Sequence, residues 1–344
     1  MASIIQAILL FLTSAFAFFT RPFSFGDKVE KFKVTSYIRG DSVQSPDDLR
    51  SEDFDIITDL IIFECATFNS KGEVEYEEAK MERVMSAVRT VIGDRDIHIT
   101  LNLLGPRGNT DSDEWKKQMR VQSAEHNKAF KSGVLEKNVL EILKKYDFDG
   151  VHFDYEYPIT NDAWHYFNKF LVSLRSYLRD EYTLGVALSA WNVSLTLEAV
   201  SAIDTLELMT YDYVDSDGKH ATYEDTVTQI KKLKYKGVPT GKINIGLPFY
   251  SRPKDMSPYW YDFIDCYDKM NKDGWYHCDE INKDCWFNTS KVIRQKTEYA
   301  LNNGFGGVMI WHYSCDLPLN HEDSLLRAIG ETLGLHSGSP SLLQ

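Results

Sequence analysis

We predict that this chain is an α/β protein folded as a (β/α)8 TIM barrel, with an insertion after the seventh strand. Short β-branched and aromatic segments alternate with longer amphipathic stretches, which is the pattern of parallel strands joined by helices. Eight such units in roughly 310 residues favour a closed barrel over an open sheet, because these barrels run about 250 residues or more with insertions. A composition of 43% hydrophobic and 26% charged residues is ordinary for one large globular domain.

The elements follow one another regularly along the chain. Eight segments have the length and residue types of buried strands: 33–38, 59–65, 97–103, 150–156, 183–190, 205–211, 242–247 and 307–311. Helical periodicity lies between most of them, at 76–91, 134–146, 162–179, 222–235, 290–302 and 321–333. The connection 251–288 is not simply helical and is rich in Tyr, Trp, Asp and Cys. We expect a lid-like insertion there, because loops after the strands build the active face of such a barrel.

The N-terminus has the pattern of a secretory signal peptide. An apolar run over residues 4–19 carries Ala15-Phe16-Ala17 near its end, which matches an h-region and an A-x-A cleavage site. We therefore expect a signal peptide at 1–17, a secreted barrel at 18–336 and a disordered tail at 337–344. The first residues contain no Lys or Arg, so an uncleaved anchor is the alternative.

Secretion would permit disulfides and glycosylation. At least one of the five cysteines stays unpaired within a monomer; they are Cys65, Cys266, Cys278, Cys285 and Cys315. For Cys278 and Cys285 a local disulfide is favoured over a metal site with His277, because the spacing matches no zinc pattern. We predict no metal and no cofactor. Sequons that begin at Asn192 and Asn288 predict a glycoprotein.

The charge of the chain restricts its partners. A formal net charge of −13 and a pI near 5.2 argue against nucleic acid and against an anionic membrane surface, which would both repel it. A neutral polysaccharide is indifferent to this charge. We expect a monomer.

Three ionisable residues share one face of the fourth strand. Side chains alternate along a strand, so His152, Asp154 and Glu156 point the same way, into the barrel. A lone carboxylate is more often a structural ion pair or a loop cap, but three inward ionisable groups are costly unless they pair with each other or with a ligand. A negative Asp154 beside Glu156 would raise the pKa of Glu156 and keep it protonated, as a general acid requires.

This segment resembles the signature of glycoside hydrolase family 18, the chitinase family: D-x-x-D-x-D-x-E followed by Tyr-Pro. Asp149, Asp154 and Glu156 occupy three of its four acidic positions, and His152 stands where the family has Asp. Other landmarks occur in the family's order: Tyr37, Met209-Thr210-Tyr211-Asp212, Gly246-Leu247-Pro248-Phe249-Tyr250-Ser251-Arg252 and Gly306-Gly307-Val308-Met309-Ile310-Trp311. Strand three, at residues 101–105, only loosely resembles the family's Ser-x-Gly-Gly.

The resemblance implies substrate-assisted retaining hydrolysis of β-1,4-linked N-acetylglucosamine in chitin or chitooligosaccharides. Glu156 is then the acid and later the base, Asp154 orients the substrate's acetamido group, and Tyr211 hydrogen-bonds its carbonyl. The expected substrate-binding residues are Tyr37, His152, Asp212, Tyr250, Arg252 and Trp311. Trp311 is expected to form the apolar floor of the subsite at the cleaved bond, with a purely packing role as the alternative. Other aromatics that could extend a sugar cleft are Trp115, Trp191, Trp260, Trp275 and Trp286.

His152 leaves two functional readings besides a chitinase. A charged imidazolium would hold Asp154 away from Glu156, whereas a neutral imidazole would release it, so we expect activity to fall as the pH drops through the pKa of His152. One alternative is a chitin-binding, lectin-like protein with little or no turnover. The other is an endo-β-N-acetylglucosaminidase that acts on N-glycans.

Overall fold

The computed structural model describes residues 31–233, 237–257 and 260–335. The expected signal peptide at 1–17, the start of the barrel domain at residue 18 and the tail at 337–344 lie outside the described residues. Within the described ranges, no helix is both long and apolar enough to cross a bilayer.

Eight parallel strands close into the predicted (β/α)8 barrel. In chain order, the strands of the described chain are β1 Lys33–Arg39, β2 Asp59–Phe68, β3 Val74–Tyr76, β4 His98–Leu104, β5 Gly150–Asp154, β6 Thr183–Ser189, β7 Thr205–Met209, β8 Ile243–Pro248, β9 Tyr250–Ser251, β10 Tyr261–Asp262, β11 Trp275–Cys278, β12 Lys283–Trp286 and β13 Gly307–Trp311. The barrel runs β1-β2-β4-β5-β6-β7-β8-β13, and β13 pairs back with β1 to close it. All eight predicted strands are therefore confirmed, within one or two residues at most ends.

Helices cover the outside of the barrel. They are α1 Glu78–Ile92, α2 Trp115–Lys131, α3 Leu135–Tyr146, α4 Asn161–Leu178, α5 Leu197–Ala202, α6 Tyr223–Leu233, α7 Phe263–Cys266, α8 Ser290–Asn302 and α9 Leu325–Thr332. The last helix begins four residues later than predicted, because the Ser324 side chain accepts a hydrogen bond from the Arg327 amide and caps it. We did not predict α2, whose buried face includes the polar Ser123 and His126 and lacks a clear apolar stripe.

Both faces of β5 are buried. Contacts on its outer face determine which side chains point into the barrel. Tyr155 stacks on His126 of α2 with ring centroids 4.1 Å apart, and Phe153 packs edge-on against Phe170 of α4 at 5.1 Å. These aromatic contacts hold the strand end against two helices. The alternate residues of β5 must then point into the barrel.

The insertion after β8 forms two small antiparallel strand pairs, β9–β10 and β11–β12, with α7 between them. Its cysteines do not form the expected disulfide, and all five cysteines of the chain are free. Cys278 pairs with Lys283 and Cys285 with Tyr276, so the two cysteines lie diagonally across the hairpin. Diagonal neighbours are about 7–8 Å apart, beyond the usual reach of a disulfide.

The two sequons differ in accessibility. Asn288 is only 1% exposed and donates a hydrogen bond to the carbonyl of His220, so the folded protein offers it no room for a glycan. Asn192 is half-buried and donates to the Pro158 carbonyl.

Candidate active site

The end of β5 brings His152, Asp154 and Glu156 together at the carboxyl-terminal end of the barrel. His152 is 2% exposed and Asp154 is 7% exposed, whereas Glu156, two residues beyond, is partly open to solvent. The predicted alternation of side chains along β5 therefore accounts for the position of these three residues on one face. Such barrels keep their chemistry at this end of the strands.

Asp154 and Glu156 behave as one coupled pair of carboxyl groups. Burial raises the pKa of Asp154 well above its usual range, and the charge of Glu156 raises it further. Burial also raises the pKa of Glu156, and Asp212 adds to the rise, while Tyr157, Arg252 and Arg107 oppose it. The raised pKa values favour retention of a proton by this pair, which is what an acid catalyst needs.

His152 lies deeper in the barrel than this pair and is buried, and its expected contact with substrate stays a prediction. Its Nδ1 is 3.4 Å from both the Tyr37 hydroxyl and the Asn102 Oδ1. Burial lowers the pKa of His152 to about 3, so the imidazole is neutral over the usual assay range. The expected loss of activity on protonation of His152 would then fall near pH 3.

Gly185 of β6 makes room for the imidazole. It is the register partner of His152, and a Cβ added to Gly185 would lie 2.3 Å from the His152 Cδ2 and 2.8 Å from the Thr205 Oγ1. Backbone and ring are both fixed here, so a methyl group cannot be accommodated without a shift.

Gly185→Ala is therefore expected to lower the free energy of unfolding by about 1–3 kcal/mol, the usual cost of overpacking. Gly241→Ala is the matched control, because an added Cβ there meets nothing within 4 Å. Urea unfolding of Gly185→Ala, His152→Ala and the double variant should show that removal of the ring relieves most of the cost. Strictly additive losses would contradict a clash with His152.

Asp212 is the centre of a second polar cluster. The Tyr250 hydroxyl donates to its Oδ1, the Arg252 Nε lies 3.0 Å from the same oxygen, and the Asp212 amide donates to the His220 Nε2 at 3.1 Å. Burial alone would raise the pKa of Asp212, but His220, Arg252 and Tyr250 outweigh it and lower the pKa. Asp212 is thus an anion beside the coupled pair, with its position fixed on three sides.

Aromatic rings form the base of the site. Trp311, at the end of β13, is partly exposed and packs edge-on against Tyr37 at 5.3 Å and Phe63 at 4.9 Å between ring centroids. Tyr211 is buried next to Met309, and its ring lies 6.0 Å from that of Tyr250. Of these aromatic side chains, Trp311 is thus the one that is partly exposed to solvent.

Two residues expected to contact substrate have little exposed surface. Tyr37 is 1% exposed and lies against Trp311 and His152, and Tyr250 is 2% exposed and donates a hydrogen bond to Asp212. Their contact with substrate stays a prediction. Of the expected residues, Asp212, Arg252 and Trp311 keep partly open surface.

The profile of glycosyl hydrolases family 18 matches residues 58–316, which include every strand of the described chain except β1. This chain belongs to glycosyl hydrolase family 18. The carboxyl pair on β5 and Trp311 on β13 both lie within the matched segment of this family 18 barrel.

Curated family 18 relatives resemble parts of the chain. Probable chitinase 2 of Drosophila melanogaster is 28% identical over 137 residues, which is 34% of this chain and 28% of the relative. Chitinase 1 of Aphanocladium album is 25% identical over 254 residues, which is 58% of this chain and 59% of the relative. The chain thus spans less than two thirds of the length of these relatives.

Solved structures share the fold over most of the chain. The chitinase ChiB of Flavobacterium johnsoniae is 24% identical with a TM-score of 0.66, and the match covers 88% of this chain and 94% of that one. A Cycas revoluta chitinase in complex with (GlcNAc)4 is 17% identical, with a TM-score of 0.69 and coverage of 88% and 100%. A chitinase-like agglutinin of Robinia pseudoacacia is 15% identical, with a TM-score of 0.68 and coverage of 87% and 98%.

The family 18 site contains residues that sequence reasoning did not single out. Tyr157 lowers the pKa of Glu156, Asn102 contacts His152, and His220 accepts a hydrogen bond from the Asp212 amide. Tyr157 directly follows Glu156 and could have been found from the signature. Asn102 lies on the strand with the weakest resemblance, and only the register of β4 against β5 pairs it with His152.

Three aromatic rings form a cluster that includes Tyr157, the residue next to Glu156 in the chain. Trp191 lies 5.2 Å from Tyr157, and Trp115 lies 6.3 Å from Trp191 and 6.2 Å from Tyr157. Trp115 and Trp191 belong to the large hydrophobic side chains that remain exposed. Trp260 has a different place, packed on Tyr250 and under the Arg252 guanidinium.

Proposed function

We propose that this family 18 protein is a chitinase-type glycosidase that cleaves β-1,4-linked N-acetylglucosamine by a substrate-assisted, retaining mechanism. The observation that carries the proposal is the buried, coupled pair of Asp154 and Glu156 above a neutral His152. Chitinases among the relatives and among the structural neighbours support the substrate class. The (GlcNAc)4 bound to the Cycas revoluta enzyme supports an oligosaccharide ligand.

In the proposed first step, Glu156 donates its proton to the glycosidic oxygen while the carbonyl oxygen of the substrate's acetamido group attacks the anomeric carbon. The bond from that carbon to the leaving sugar breaks, and the leaving sugar departs with the proton of Glu156. Asp154 accepts the acetamido N–H, and the Tyr211 hydroxyl donates to its carbonyl, so both groups hold the attacking geometry.

In the second step, a water molecule attacks the anomeric carbon and displaces the acetamido oxygen. Glu156, now a carboxylate, takes the proton of this water and returns to its acid form. Asp212 and Arg252 would bind sugar hydroxyls at the rim, and Trp311 would stack on the sugar at the cleaved bond. The neutral state of His152 supports this cycle, because it leaves Asp154 free to pair with Glu156.

We propose that the protein acts outside the cell, as the pattern at residues 1–17 indicates, and that it acts as a monomer. A neutral polysaccharide outside the cell is compatible with the formal net charge of −13.

A chitin-binding protein without turnover is the second candidate function. His152 in place of the family's Asp and the fold shared with the Robinia pseudoacacia agglutinin favour it. The retention of Asp154, Glu156 and Tyr211 in one cluster favours catalysis, because a binding protein has no need of a coupled acid. An endo-β-N-acetylglucosaminidase would use the same groups, and only the loops after the strands would distinguish its substrate.

Turnover of chitotetraose by the secreted protein between pH 4 and pH 9 tests the function, with an N-glycan as the competing substrate. We expect chitotetraose hydrolysis with retention of the β-anomer, and a decline at alkaline pH as Glu156 loses its proton; the raised pKa of Glu156 moves this decline above the usual range of a carboxyl. Oligosaccharide binding without hydrolysis at any pH would establish the lectin-like reading, and cleavage of the N-glycan alone would establish the endoglycosidase.

A further inference from the structure

A second cluster of chemically active side chains joins the insertion to the end of the last barrel strand. Asp262 of β10, His312 and Cys315 each offer one ligand atom, and these atoms all lie within 4.8 Å of one another. His312 and Cys315 are buried, and Asp262 is half-buried. None of these three side chains takes part in the proposed hydrolysis.

The spacing of two of these residues is that of metal ligands. His312 and Cys315 are three residues apart on a single 3-10 turn, in which the Cys315 amide donates to the His312 carbonyl at 3.2 Å. Their side chains therefore project to the same side, as in the x₂-spaced ligand pairs of structural zinc sites.

The distance between the two ligand atoms agrees with tetrahedral zinc. The His312 Nε2 lies 3.4 Å from the Cys315 Sγ. Zinc bonds of about 2.0–2.1 Å to nitrogen and about 2.3 Å to sulfur place two such ligands about 3.6 Å apart at the tetrahedral angle. The Asp262 carboxylate oxygen lies within 4.8 Å of both atoms.

The surroundings also suit a cation with a mixed ligand set. The nearby Arg39 and Asp41 form an ion pair at 2.6 Å and together add no net charge. One sulfur, one nitrogen and one oxygen ligand favour zinc over magnesium or calcium, which take oxygen alone.

We infer that Asp262, His312 and Cys315 bind one Zn²⁺ ion, with water as the fourth ligand on the half-buried side. The ion would tie β10 of the insertion to the chain directly after Trp311. Its binding to the folded chain would release the thiol proton of Cys315 and stabilise the contact between insertion and barrel.

The test uses the full secreted chain, stripped with a chelator and dialysed against zinc. Elemental analysis after gel filtration should give one zinc per chain, and zinc at a hundred times its Kd should raise the Tm by about 5 °C. Cobalt in place of zinc should give a thiolate-to-cobalt absorption band.

Cys315→Ser and His312→Gln should each lower zinc occupancy at least tenfold, and Cys315→Ser should abolish the cobalt band. Cys65→Ser is the matched control, because Cys65 is another buried free thiol outside the cluster. His277→Gln controls for surface binding, because the exposed His277 contacts Asp284 and Asp279. Zinc at buffer level in the unaltered chain, or full occupancy in both site variants, would overturn the inference whatever the hydrolytic activity.

Discussion

Replacement of Glu156 by glutamine is expected to lower the kcat for chitotetraose by about 10³-fold, within the range for loss of a general acid. Glutamine keeps the shape of the side chain, but it has no acidic proton to give to the leaving oxygen. Because the change leaves Asp212, Arg252 and Trp311 in place, oligosaccharide binding should change less than twofold. Reducing-end release gives kcat, and titration calorimetry gives Kd.

Glu141→Gln is the matched control, an identical substitution at an exposed position on α3. It should leave both values unaltered. A Glu156→Gln protein that keeps more than a tenth of the kcat would exclude Glu156 as the acid. Loss of binding and turnover together would instead indicate a folding defect, which circular dichroism would reveal.

Replacement of Asp154 by asparagine is expected to lower kcat by about 10²-fold and to change its pH profile. Asparagine cannot accept the acetamido N–H as a charged group, so it loses a charge-assisted hydrogen bond made in the transition state. It also removes the partner charge that couples to Glu156. Glu156 then gives up its proton at lower pH, and the alkaline limb of the profile should move to lower pH.

The control for this variant is Asp180→Asn, at an exposed carboxylate with no role in the site. His152→Asp is a second test of the Asp154 and Glu156 pair. It should change the acid limb of the pH profile, because a carboxyl that can share a proton with Asp154 replaces the neutral imidazole. An alkaline limb of Asp154→Asn that coincides with that of the unaltered protein would contradict the coupling. Superimposable acid limbs of the unaltered protein and His152→Asp would remove His152 from the pH dependence.

Most of the fold could be predicted from the sequence because its signals are local. The period of two in the strands and the period of 3.6 in the helices are set by neighbouring residues, and all eight barrel strands followed from them. Helix α2 shows the limit of this reasoning. Its buried face is partly polar, and the packing of His126 against Tyr155 positions the helix on the barrel.

The site divides in the same way. Strand alternation alone places His152, Asp154 and Glu156 on one face, and the resemblance to the family signature predicts that Glu156 is the acid. The protonation state of His152 could not be predicted, since it depends on burial beneath residues from β1, β4 and β6. Contacts of that kind depend on the register between strands, which no single segment encodes.

What the sequence by itself determined is therefore the barrel, the order of its elements and the row of ionisable groups on β5. Only the tertiary structure decided that Cys278 and Cys285 are diagonal rather than bonded and that Tyr37 and Tyr250 are buried. It alone brought Asp262 to His312 and Cys315, across some fifty positions of the chain. The physical reason is that periodicity follows from neighbours in the sequence, whereas burial, pKa and ligand geometry follow from neighbours in space.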